Sequence, residues 1–174
     1  MLAISSLGGD NATKEMVNAN IHASDTWGFY QAKNIRQTAN QIAAEELEAG
    51  LLLHGGALRG DERQRVQRLI ERYRATVARY ESEPDPKDPG NPLKGEGKKE
   101  LRARATHWES TRDHAAAQDP NFDFSSALFQ IAIVLGSVSI VANSRGILDL
   151  SLILAAAAFL LMLNGFFVFI HLPF

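Results

Sequence analysis

Two apolar runs near the C-terminus stand out from the hydrophobic pattern, Phe124–Ala142 and Leu150–Leu172. Neither contains Lys, Arg, Asp or Glu, and each approaches or exceeds the ~20 residues that a helix needs to cross the hydrocarbon core. Only Asn143 to Asp149 separate them, so the two helices must return antiparallel. The pattern predicts a transmembrane hairpin over residues 122–174.

Upstream of the hairpin the periodicity is helical. A proline-free first helix is expected over about Thr13–Leu53, where Ile21, Gly28, Ile35 and Ile42 recur every seven residues and Ala32 and Ala39 widen the stripe. Gly55, Gly56 and Gly60 supply freedom for a turn, and Asp61 with Gln64 resembles a capping box. In a second helix, about Glu62–Ser82, Val66, Ile70, Tyr73, Val77 and Tyr80 alternate at coiled-coil spacing. The apolar stripes of the two helices are expected to pack on each other as an antiparallel stalk over 11–82. Four prolines and three glycines in 83–97 make that segment a linker. A third stalk helix, 98–119, carries Leu101, Ala105 and Trp108 and is expected to stop at Asp119-Pro120. Residues 1–10 form an apolar N-terminal stub with no basic region ahead of it. They make a poor signal peptide and read like the last turns of a helix. The expected fold is therefore all-α: a coiled-coil-like helical hairpin plus a third helix, attached to a C-terminal two-helix transmembrane hairpin.

Composition narrows the function. The chain has 174 residues, Lys+Arg 18, Asp+Glu 20 and a net charge of -2. Beyond residue 123 the charged groups are Arg145 and Asp149, so the rest of the charge sits upstream. Near-balance of this kind argues against a nucleic-acid partner. The Arg-rich second helix interleaves its arginines with Glu62, Glu71 and Glu81 and reads as a solvated face. With no cysteine, thiol catalysis, disulfides and zinc-thiolate sites are excluded.

The candidate contact residues lie in two groups. On the stalk, Asp25, Trp27, Tyr30, Gln31 and Lys33 place aromatic and polar groups on one short stretch of helix, the composition of a protein-contact anchor. Val66, Ile70, Tyr73, Val77, Tyr80 and Trp108 supply the stalk seams. In the hairpin, Ala132 and Gly136 form a small-xxx-small pair, Ala155 to Ala158 a smooth face, and Gln130 and Asn164 the amides that need partners. The five histidines make no HExxH-like cluster, so no metal site is expected. Spacing forces no nucleophile–base pair together, and no catalytic residue, cofactor or small-molecule substrate is expected.

Two segments carry a resemblance. Ala23-Ser-Asp-Thr-Trp-Gly-Phe-Tyr-Gln-Ala-Lys-Asn-Ile35, preceded by Asn11-Ala-Thr-Lys-Glu-Met16, resembles the signature of the bacterial domain-of-unknown-function 4337 family. The tail, from Phe129-Gln-Ile-Ala-Ile133 to Asn164-Gly-Phe-Phe-Val-Phe169, is similar to the C-terminal hairpin of that family. The Pro/Gly-rich segment departs from the pattern. The resemblance implies a transmembrane helix ahead of Asn11, with Met1–Leu7 as its remnant, and it implies no activity. Residues and resemblance together lead to the expectation of a non-enzymatic accessory or structural subunit in the bacterial inner membrane. It would bind other membrane subunits or itself through stalk and hairpin. Arg145 in the short connection favours a cytoplasmic turn and a periplasmic stalk. A transporter or signalling component and a self-assembling scaffold are the alternatives.

Overall fold

The computed structural model describes residues 1–171 and is all-α, in four helices: α1 Leu2–His54, α2 Gly60–Glu81, α3 Lys98–Ala142 and α4 Arg145–Phe167. The chain divides into two compact units. One is His22–Trp108 and the other is Met1–Ile21 with Glu109–Phe174. Leu172, the last residue of the second apolar run, lies outside the described residues, as does the end of the expected 122–174 hairpin.

In the unit of residues 22–108, α1 pairs antiparallel with α2 and with the start of α3. The turn between α1 and α2 is closed by Arg63, whose Nη2 donates to the Gly55 carbonyl at 2.6 Å. The N-cap of α2 differs from the expected Asp61 and Gln64 pair. Arg59 is the cap, and its backbone N–H donates to Glu62 Oε2 at 3.0 Å. Gly60 is already helical, which moves the box two residues upstream.

The inward face of α1 also differs from expectation. Ala19, Ala23, Thr26 and Ala44 are buried on it, with Tyr30, Lys33 and Gln37 half-buried between them. The heptad Ile21, Gly28, Ile35, Ile42 points outward, and Ile35 is 70% exposed. Small residues won the interface because alanine lets helix axes approach closely, and the long polar side chains can complete it by reaching partners on α2 and α3. Gln37 Nε2 donates to the Val77 carbonyl at 3.1 Å and to Glu81 Oε2 at 2.9 Å, and Lys98 Nζ donates to Gln37 Oε1 at 2.6 Å.

The Pro/Gly-rich segment is tied to the start of α3 by one carboxylate. Glu100, buried, accepts from the Ser82 hydroxyl at 2.6 Å and from the Glu83 backbone N–H at 3.1 Å. Burial pushes this carboxyl up, but those donors and its own backbone N–H outweigh burial and hold it below its usual value of 4.5. Glu81 is likewise lowered, first by the Gln37 side chain and then by Lys98. A Cβ on Gly97 would strike Glu83 N, the Glu100 carboxylate and Ser82 Cα, so only glycine lets the segment pass here.

In the other unit, α3 does not stop at Pro120; it runs on to Ala142 with Pro120 inside it. The ring denies the Ala116 carbonyl its helical donor. The following turns compensate by burial and side-chain bonding. Asn121, Phe122 and Ser125 are buried, and Asn121 Nδ2 donates to the Ala117 carbonyl at 2.8 Å. The connection to α4 is also shorter than expected. Asn143, in the left-handed region at φ 47°, and Ser144 turn the chain, and Arg145 already begins α4. The N-terminal stub is helical and continuous with α1. Ser5 Oγ donates to the Phe122 carbonyl at 3.0 Å, and the Phe122 ring fills the notch left by Gly8 and Gly165. The core here is Ala12, Phe122, Phe129, Ala158 and Met162.

The end of α3 and all of α4 are long and apolar enough to cross a membrane. Only 22% and 17% of their most apolar windows are buried, whereas a core helix of a water-soluble protein buries most of such a window.

Candidate functional site

Two features in residues 22–108 are organised beyond what the helix contacts require. The first is the outward stripe on α1. Gly28, Ala32, Ile35, Ala39 and Ile42 follow one another at spacings of 4, 3, 4 and 3, the seam of a left-handed coiled coil. Gly28, Ile35, Ala39 and Ile42 are exposed, and none of the described residues covers them. Most of the small residues on the stripe leave room for a second helix to approach.

The second feature is a cleft of about 540 Å³ between α1, the end of the Pro/Gly-rich segment and α3. His22 and Trp108, both in its lining, stack with ring centroids 4.7 Å apart. Phe29 and Leu101 extend the apolar wall, and Lys33, Lys94 and Arg104 bring positive charge to it. Lys33 is held by Glu83 at 3.4 Å and Glu96 at 3.8 Å.

The stalk residues expected from sequence fall into separate places. Asp25, Lys33 and Trp108 line the cleft together. Trp27 and Tyr30 are half-buried rather than exposed, edge to face at 5.4 Å, with the Lys98 ammonium 5.7 Å from the Tyr30 ring centroid. Helical geometry explains the difference, since Tyr30 lies seven residues after Ala23 and shares its inward face. Phe29 is the outward aromatic instead. Gln31 is exposed. Val66, Tyr73, Val77 and Tyr80 are half-buried and Ile70 buried along one face of α2.

In the apolar unit, Ala132 and Ala158 are buried and Gly136 and Ala155 half-buried. Two serines that the sequence reading missed seal this seam. Ser151 Oγ donates to the Ala132 carbonyl at 2.8 Å and Ser125 Oγ to the Ala158 carbonyl at 2.7 Å. A small hydroxyl facing a helix backbone satisfies itself and brings the axes close, so serines set opposite small residues were the available signal. Asn164 Nδ2 donates to Asn121 Oδ1 at 2.7 Å and to the Ile170 carbonyl at 2.8 Å, while its Oδ1 accepts the Ile170 N–H. Gln130 faces outward. Among the described residues no group of three or more His, Asp or Glu is placed to hold a metal ion.

No curated protein and no solved structure matches the chain. The model of one family does, described as Domain of unknown function (DUF4337), and it matches residues 1–168. The chain belongs to that family.

Proposed function

We propose that this protein is a non-catalytic, membrane-anchored accessory subunit that binds and stabilises a larger membrane assembly. The observation that carries this reading is apolar surface that the chain leaves uncovered. One band lies on α3 and α4, where Ile131, Val134, Ile140, Val141 and Ile153 are exposed. A bilayer would cover it without further cost. The other is the coiled-coil seam on α1, where Ile35 and Ile42 are exposed, and a helix from another subunit would cover it. Arg145, at the turn into α4, supports a cytoplasmic turn, with residues 22–108 on the periplasmic side of a bacterial inner membrane.

The test is extraction of the protein from its native membrane in mild detergent, followed by intact-complex sizing and subunit identification. A stoichiometric set of foreign membrane subunits, lost with Ile35→Glu, is the expected result. A large assembly of this chain alone would replace the accessory role by a self-built scaffold. A free monomer would overturn both and leave the transporter or signalling alternative.

A further inference from the structure

We propose that the cleft in residues 22–108 is a binding site for a small aromatic monocarboxylate, with Arg104 as its anion contact. Its volume of about 540 Å³ is adequate for such a molecule. One wall is flat and apolar. His22 and Trp108 stack at an interplanar angle of 24°, and the Phe29 ring stands 67% exposed at its edge. An aromatic body slipped against this wall would cover rings that water now wets.

The charges in the cleft are unequally matched. Lys33 is taken by Glu83 and Glu96, and Lys94 by Asp88 at 2.9 Å. Arg104 pairs with no carboxylate among the described residues. Its Nη2 donates to the Gly95 carbonyl at 3.1 Å, which orients the guanidinium without neutralising it. Its Nε–H is buried and has no acceptor. A buried donor on a cation with nothing to bond is costly, and a carboxylate oxygen relieves that cost with the planar geometry that guanidinium favours. Asp25 and Glu96 also line the cleft. With both lysines already paired, Arg104 is the one lining cation left for a ligand among the described residues, which suits a monoanion, whereas a polyanion such as phosphate would meet the two carboxylates. The site lies wholly within residues 22–108.

The full chain carrying Trp27→Phe keeps Trp108 as its one indole, and Trp108 fluorescence reports the cleft. The probe is 4-nitrobenzoate, a contact quencher, with neutral 4-nitrobenzyl alcohol and inorganic phosphate as comparisons. Saturable quenching by 4-nitrobenzoate is expected, with weaker binding of the alcohol and none of phosphate in competition. Arg104→Gln should weaken it by about tenfold or more, the loss of one charge-assisted hydrogen bond. Phe29→Ala, at an exposed position that folding does not depend on, should weaken it as well. Quenching that rises linearly without saturation overturns the proposal. So does an affinity equal for acid and alcohol, or one that neither substitution changes in proteins of unaltered helix content.

Discussion

At the scale of single residues, Glu100 and Phe122 hold the most structure together for their size. Glu100 is the acceptor for both Ser82 and the Glu83 N–H, so Glu100→Gln should lower unfolding stability by about 1.5–3 kcal/mol, the range for hydrogen bonds to a charged group. Thermal unfolding followed by circular dichroism measures this. The carboxyls of Glu100 and Glu81 are both held below 4.5 in the folded chain. Each therefore contributes stability that is fully present above 4.5 and is lost as pH falls through the lowered folded value. Acid titration of the melting temperature should show that loss below pH 4.5 and a shallower one in Glu100→Gln. An unchanged acid limb would mean that the clasp does not titrate as described. Around Phe122 the limit is space. A Cβ on Gly8 would come 2.5 Å from the ring, so Gly8→Ala should cost about 1–3 kcal/mol through overpacking. Gly28→Ala, where nothing lies within 4 Å, should cost nothing of this kind.

At the scale of elements, α1 is the helix that sequence pattern described least faithfully. Its seven-residue apolar repeat is real, but it faces outward, while alanine, threonine, glutamine and lysine form the face toward α2 and α3. The pattern rule assumes that the most apolar stripe goes inside, and it fails here because small residues and reaching polar side chains take the face toward α2 and α3. This gives a paired prediction. Ile35→Glu should leave chain stability within about 0.5 kcal/mol and abolish association, because Ile35 is a surface residue. Ile70→Glu should unfold the unit itself, since a charge would enter the buried face of α2. Equilibrium unfolding alongside native sizing separates the two; equal stability losses would place Ile35 inside after all. α3 shows the opposite lesson. Pro120 read as a stop, yet the helix continues, because burial of Asn121, Phe122 and Ser125 outweighs one lost backbone hydrogen bond.

At the scale of the whole molecule, the membrane proposal rests on α3 and α4 burying little of their apolar windows. Ile133 is exposed near the middle of the first apolar run, and arginine at such a depth costs about 2.5–3.5 kcal/mol of insertion free energy. Ile133→Arg should therefore reduce the fraction of protein that resists alkaline carbonate extraction, whereas a water-exposed position would be indifferent to it. The sequence by itself determined the all-α class, the two apolar helices, the positions of the helices to within a turn or so at most ends, and the absence of thiol chemistry. These depend on local composition and period, which each segment carries alone. Only the tertiary structure decided which face of α1 is covered, that α3 passes through Pro120, and that Glu100 gathers the Pro/Gly-rich segment. It alone set His22, Trp108 and Arg104 around one cleft. Those outcomes turn on competition between distant segments for the same surface or the same hydrogen bond, and no local pattern records which competitor wins.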